Sequence, residues 1–428
     1  MRTLTAALAL VTAWSHVSSA AADSGALFGE SARAASLADS VVARPGDTSA
    51  IFFNPAGVAD LDRPTLVLLG HAGLSRYRFA RTGELGASSD RAVTGYGLSI
   101  ASPLPGPNWL HRVHLAASVQ LPGRTIIGVN APVRRDEPYA FYYGDRTERT
   151  AATFALSVEL PYRINIGAAV TVMPSLLAPT AVGFDANRGE TVDEGVFISQ
   201  DRDLRLEPAL IAGVRYQPID EVAVGLVWRQ GGSTRASGTF DVRAGAIRVA
   251  DEYNFNSIIA PMELALGVAV WPVPNVSISL DATWARWSEF RTIHDEAPEP
   301  GFSDVVDLRA GVEWTAHRAL RARLGYAFLP SPAPEQSGRH NLLDAHRHEL
   351  AFGLGLDLEA LVSFALRIDL AARFHIMHEQ TATKDPGALV GTIDNLGYPG
   401  FSSRGSFEQI LLSLTFPLGD PMRPEPQP

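Results

Sequence analysis

From about residue 65 to residue 417 the chain alternates between apolar and polar positions in one run after another. This period of two constrains the fold more than any other feature. In "PNVSISLDATWARW", Val276, Ile278, Leu280, Ala282 and Trp284 share one face, and Ser277, Ser279, Asp281 and Thr283 share the other. In "SFALRIDLAARFH", Phe364, Leu366, Ile368, Leu370 and Phe374 oppose Arg367, Asp369, Arg373 and His375. "DVVDLRAGVEW" sets Val306, Leu308, Val312 and Trp314 against Asp307, Arg309 and Glu313. "LRARLGYAF" sets Leu320, Leu324, Tyr326 and Phe328 against Arg321 and Arg323. The runs last about 10 to 14 residues, long for a globular strand and right for a tilted strand that crosses a bilayer.

Fourteen such runs centre on 65–80, 92–102, 111–121, 150–160, 163–173, 205–217, 220–230, 260–271, 275–288, 303–315, 318–329, 346–358, 361–376 and 406–417. Their connections alternate in length. "LPYR", "YQPIDE", "PVPN", "TAHR" and "LEA" are short; 122–149, 174–204, 231–259, 289–302, 330–345 and 377–405 are long. Short turns at one rim, long loops at the other and an even strand number predict a closed barrel. Closure is required because an open edge would leave unpaired backbone groups in lipid. Trp228, Trp271, Trp287, Trp314, Phe328 and Phe416 fall at strand ends, where an interfacial aromatic girdle belongs. The expected fold is all-β: a 14-stranded antiparallel transmembrane β-barrel over 63–417, apolar toward lipid and polar toward the lumen.

The opening "MRTLTAALALVTAWSHVSSAAADSG" carries Arg2, an apolar stretch over 6–14 and small residues at Ser18, Ala20 and Ala22. This reads as a cleavable signal peptide over 1–22, since a spanning helix needs about 20 apolar residues. The chain has no cysteine, which removes disulfides, thiolate metal sites and cysteine nucleophiles together. A net charge of −10 with no basic run argues against a nucleic-acid partner. Residues 418–428 read as a Pro-rich periplasmic tail.

Residues 23–62 fit neither signal nor strand. They are rich in Ala, Gly and Ser, carry an amphipathic stretch over 32–42, and end in "SAIFFNPAG". There Ile51, Phe52 and Phe53 precede a turn of Asn54, Pro55 and Gly57. A compact plug, or hatch, inside the lumen gives those aromatics an apolar place.

The stretch "ARAASLADSVVARPGDTSAIFFNPAGVADL" resembles the N-terminal hatch of the FadL/TodX family, outer-membrane transporters of long-chain fatty acids and hydrocarbons. The matching positions are Asp47, Ser49, Asn54, Pro55, Ala56 and Gly57, with Phe52 and Phe53 beside them. "DATWARWSEF", "GFSDVVDLRAGVEW", "LRARLGYAFLPSPAPEQ" and "LLDAHRHELAFGLGL" are similar to later strands of that family. The resemblance implies a hatch-plugged barrel in the Gram-negative outer membrane, taking up a hydrophobic ligand passively and under ligand gating. It also implies release through a lateral gap beside a kinked third strand, for which Pro122 and Gly123 are the candidates. The expected partners are a hydrophobic small molecule and outer-membrane lipid. The chain is expected to be a monomer without cofactor, metal or enzymatic activity.

Three lumenal arginines, Arg309, Arg321 and Arg323, have two readings. They hold a fatty-acid carboxylate, or they pair with Asp307, Glu313 and Asp369 to fill the barrel and seat the plug. In the long connections, Phe141, Tyr142, Tyr143, Phe255, Ile258 and Ile259 are candidate apolar ligand contacts. His340, His346, His348, His375 and His378 lack the spacing of a metal motif. No G-x-S-x-G, P-loop, H-E-x-x-H or dinucleotide fingerprint is present. Two other functions stay open: a porin for polar solutes, which requires an open lumen, and an outer-membrane lipid-modifying enzyme.

Overall fold

The computed structural model describes residues 29–84, 86–105, 112–123, 136–138, 150–177, 180–184, 196–200, 203–244, 247–292, 294–362, 364–387 and 395–419. Its strands are, in order, β1 (Thr65–Arg81), β2 (Ala87–Pro103), β3 (Val113–Pro122), β4 (Ala151–Leu160), β5 (Ile164–Leu177), β6 (Thr180–Phe184), β7 (Val196–Gln200), β8 (Asp203–Ile219), β9 (Val222–Arg229), β10 (Gly232–Ala244), β11 (Ile247–Ala260), β12 (Glu263–Val273), β13 (Val276–Ala285), β14 (Val305–His317), β15 (Leu320–Leu329), β16 (Arg347–Asp357), β17 (Arg367–Met377), β18 (Gln380–Thr383) and β19 (Gly400–Pro417). Fourteen of them, β1–β5, β8, β9, β12–β17 and β19, are the staves of a closed antiparallel barrel. The last stave returns to the first in unbroken register, from Thr65↔Pro417 to Arg81↔Phe401.

The remaining strands extend the long-loop rim. β6 and β7 form one hairpin, β10 and β11 another, and β10 runs parallel to β5 and β6. β18 pairs with the rim end of β19. The stretch 231–259, expected as a loop, is therefore largely a hairpin, and Phe255, Ile258 and Ile259 lie in strand β11. Thr239, Phe240, Val242, Ile247, Val249 and Tyr253 are β-branched or aromatic and favour that pairing. Phe141, Tyr142 and Tyr143 lie outside the described residues, as do the signal segment 1–22 and positions 420–428 of the tail.

The alternation reads inside out relative to a soluble sheet. Leu280, Leu308, Leu354 and Ile410 are exposed on the outer wall, whereas Asp281, Asp307, Glu313 and Arg373 are buried in the lumen. Trp228 and Trp314 stand outward as a girdle requires, but Trp287 and Trp271 do not. Trp287 follows β13 in a short 3-10 turn, where strand alternation no longer sets its direction. It packs inward with Phe290, Phe302 and Leu342. Trp271 lies under the Arg44 guanidinium, 5.2 Å from the ring centre.

Pro122 ends β3 and Gly123 follows it; residues 124–135 beyond them lie outside the described ones. The ladders to β2 (Pro103↔His114 to Gly95↔Pro122) and to β4 (Val113↔Val158 to Gln120↔Ala151) carry no register shift. Pro122 is the last residue of the strand, where a missing donor is tolerated. The Gly123 N–H continues the pairing by donating to the Thr94 carbonyl at 2.7 Å.

Candidate functional site

The lumen is filled by the chain's own N-terminal segment. From residue 29 to 59 every residue is buried except Arg44 and Gly46. Helix α1 (Ala32–Ser36) starts at Ser31, whose hydroxyl accepts from the Ala34 N–H at 3.1 Å. Its alanines let it lie against the wall, where Ala32 and Ala35 touch Leu69, Ala371 and Leu411. A second turn, α2 (Ala50–Phe53), runs into a 3-10 helix at Pro55–Asp60.

Asn54 joins these two turns and is fully buried. Its Oδ1 accepts from the Ala56 N–H at 3.1 Å, capping the 3-10 helix. Its Nδ2 donates to the Val42 carbonyl at 2.8 Å and to the Val214 carbonyl of β8 at 3.2 Å. One side chain thus ties the plug to itself and to the wall. Pro55 takes the first helical position, where no N–H is needed. A Cβ on Gly57 would meet the Pro45 ring at 2.6 Å. Phe52 and Phe53 meet edge to face at 5.1 Å. Arg229 of β9 covers the Phe52 ring at 4.4 Å and donates to the Phe52 carbonyl at 2.9 Å. Asp47 accepts from the Ser49 N–H at 2.9 Å and shapes the entry to α2.

Charged anchors fix the plug to one side of the barrel. Arg33 and Arg44 both reach Glu313 of β14, at 3.2 and 2.9 Å. Asp39 pairs with Arg373 of β17 at 2.9 Å, and Asp60 with Arg215 of β8 at 3.0 Å. Asp281 of β13 accepts from the Val42 N–H at 2.9 Å. Toward β2–β4 the described links are hydrogen bonds: Thr48 to Ser99, Glu30 to Gln120, the Ser157 hydroxyl to the Ala56 carbonyl, and His114 to the Leu61 carbonyl.

The three lumenal arginines are engaged in this lattice. Arg309 pairs with Asp307 at 3.1 Å, Arg321 with Asp357 at 3.5 Å, and Arg323 with both Glu313 and Asp369 at 2.6 Å. Arg323 has no exposed surface. The geometry matches the ion-pair reading of these residues, and Arg323 offers no face to a ligand carboxylate.

Glycines seat the plug. Gly167, Gly213, Gly225, Gly267, Gly311, Gly325 and Gly353 face the lumen on seven staves, and a Cβ on any of them would press into residues of the 36–56 stretch. Three pairs face each other across strands: Gly167↔Gly213, Gly225↔Gly267 and Gly311↔Gly325. Glycine weakens a strand interior and marks a place where another segment approaches closely; here the plug does, through its backbone at Gly167, Gly225 and Gly325.

Nearer the long-loop rim the lumen turns apolar. Tyr77, Val93, Met377 and Phe407 pack with Ala345. Phe79 and Phe401, 5.0 Å apart, pack with Leu343 and Ala382. Leu342 to Ala345 belong to the 330–346 connection, which turns inward and is buried there. Lys384, the sole lysine of the chain, fixes it by donating to the carbonyls of Gln336, Gly338 and His340 at 2.8, 2.7 and 2.8 Å. Asn341 adds bonds to the Asp136 carbonyl and to Asn395. The arrangement closes the long-loop mouth of the barrel with aromatic residues packed between an inturned loop and a buried plug.

No family model and no curated protein matches the chain. Solved structures do. A Pseudomonas aeruginosa FadL homologue superposes with a TM-score of 0.65 at 15% identity, over 91% of this chain and 98% of its own. The P. putida toluene transporter TodX gives 0.54 at 13% identity, over 87% and 94%. The fold is that of FadL and TodX. The monoaromatic hydrocarbon channel CymD gives 0.53 at 13% identity, over 90% and 97%. Within this FadL/TodX fold, the residues that sequence reasoning missed are the seating glycines and Arg229. The glycines had a signal: "NIGAA", "AVGLV", "ALGVA", "RAGVE" and "RLGYA" each place one in mid-strand, on the lumenal face.

Proposed function

We propose that this chain is an outer-membrane channel for passive uptake of hydrophobic small molecules, long-chain fatty acids or hydrocarbons. The observation that carries the reading is the closed mouth, where Tyr77, Phe79, Phe401, Phe407 and Met377 pack above a lumen blocked by a buried plug. An apolar solute gains by leaving water for such a mouth, and a hydrated ion does not. The filled lumen speaks against a porin for polar solutes. A FadL homologue and monoaromatic hydrocarbon channels share the fold, which supports transport over lipid-modifying chemistry. In this reading residues 1–22 are removed on export, 23–62 are the plug, 63–417 the barrel and 418–428 a periplasmic tail, and one copy suffices. Ligand in the mouth loosens the plug on its β2–β4 side, where the described links are hydrogen bonds, and the ligand leaves there.

Purified protein in proteoliposomes tests this. Entry of oleate or toluene should exceed that into empty vesicles while steady ion current stays near baseline. A large steady current in the intact protein would establish the porin reading instead. Hydrolysis of vesicle lipid would establish the enzymatic one.

A further inference from the structure

On the outer wall of β1 and β19 the apolar surface ends in a cationic step. Moving toward the long-loop rim, the outward positions of β19 are Leu412 and Ile410, then Glu408, Ser406 and Arg404. Those of β1 are Ala72 and Leu74, then Arg76 and Arg78. Arg76 is paired with Glu408 at 2.8 Å. Two residues further, about 7 Å along the strands, Arg78 and Arg404 stand directly opposite each other in register, and both are exposed. Like charges opposite each other destabilise a sheet. Among the described residues neither arginine makes an ion pair. They border a cavity of about 400 Å³ that Glu379, Ser402, Ala80 and Gly86 also line.

We propose that this cavity binds the phosphorylated sugar headgroup of an outer-leaflet glycolipid. Two guanidiniums opposite each other suit one phosphate, which accepts paired N–H bonds and relieves their repulsion. Glu379 repels a second phosphate but accepts hydrogen bonds from sugar hydroxyls, and the Ser402 hydroxyl can donate or accept. The site lies just beyond the Arg76–Glu408 pair that closes the apolar wall, at headgroup height. Below it Leu74 and the exposed Ile410 offer a surface for acyl chains. The lumen and mouth are on the other face of the same strands, so the site is separate from the transport path. It rests on the transport reading only for which rim faces outward.

Native mass spectrometry of the full protein in detergent micelles tests the assignment with three probes. These are a phosphorylated, acylated diglucosamine lipid, the same lipid with its phosphates removed, and inorganic phosphate. The phosphorylated lipid should bind at least about tenfold more tightly than the dephosphorylated one. R78Q/R404Q should lose that preference while its oleate entry and ion current match the unaltered protein. Equal binding by R78Q/R404Q, or equal binding of the dephosphorylated lipid, overturns the proposal. Displacement of the lipid by inorganic phosphate at equal concentration assigns the site to free phosphate and overturns the lipid. If oleate entry fails but the lipid adduct depends on the two arginines, the site stands and the transport reading falls.

Discussion

Gly225→Ala with Gly325→Ala tests whether the wall glycines hold the plug in place. At Gly225 the new Cβ would stand 2.8 Å from the Val42 carbonyl carbon and 3.0 Å from Ala43 Cα. At Gly325 it would stand 2.8 Å from Leu37 Cα and closer still to the Ala38 nitrogen. Ordinary contact begins at 3.4 Å, so each methyl group intrudes by about 0.6 Å or more. The atoms it meets are backbone, and no rotamer change relieves them. Retreat of the plug is opposed by the Asp39–Arg373 and Arg33–Glu313 pairs at 2.9 and 3.2 Å. Overpacking of this kind costs about 1–3 kcal/mol per site. The pair therefore destabilises the seated plug by about 2–6 kcal/mol. At roughly 1.4 kcal/mol per factor of ten, the lower figure raises the unseated fraction ~30-fold.

Planar-bilayer recording reads the unseated fraction as ion current, and heat-modifiable gel migration reports whether the barrel itself is intact. The double variant should insert as a folded barrel and leak. Gly70→Ala is the control, because a Cβ there meets no atom within 4 Å, and its current should equal that of the unaltered protein. A double variant as tight as Gly70→Ala would refute the seating role and place the seal elsewhere.

Two further outcomes follow from the plug. Asn54→Ala removes three hydrogen bonds from a fully buried junction and leaves the Val42 and Val214 carbonyls without that donor. It should destabilise the plug by about 1–3 kcal/mol, read as faster amide exchange over residues 42–60 with the staves unchanged; unchanged exchange there would count against the staple. Burial raises the Glu30 carboxyl from 4.5 to about 7, despite the bond from Gln120. The folded plug then holds more protons than the unfolded chain between about pH 4.5 and 7. Its contribution is complete below that window and is lost as pH rises through 7. Exchange near residue 30, corrected for intrinsic rates, should quicken from pH 5 to pH 8 in the unaltered protein and stay level in Glu30→Gln; equal slopes in both would sink the argument.

The staves were legible because two media force the alternation. Asp307, Glu313 and Asp369 fall inward and Leu308, Val312 and Leu370 outward by the same period that a reader counts. Trp287 escaped because it sits one turn past its strand, and Phe255, Ile258 and Ile259 because a long connection can continue as a hairpin. The lumenal arginines were half legible: Arg323 and Glu313 are near in sequence, but Asp369 reaches Arg323 only through the register of β15, β16 and β17. The glycine seats were hidden for a different reason. Alternation scores glycine as neither apolar nor polar, so Gly225 or Gly325 looks like a lapse in an otherwise regular strand. A glycine in a strand interior weakens it, and seven on one inner surface would be a liability to an empty barrel. They become intelligible only if another segment approaches them closely, and that segment is Ser36 to Ala56, with its backbone at Gly167, Gly225 and Gly325. The alanine-rich N-terminal segment and the mid-strand glycines are therefore one feature of this sequence: each supplies the small surface that the other's close approach requires.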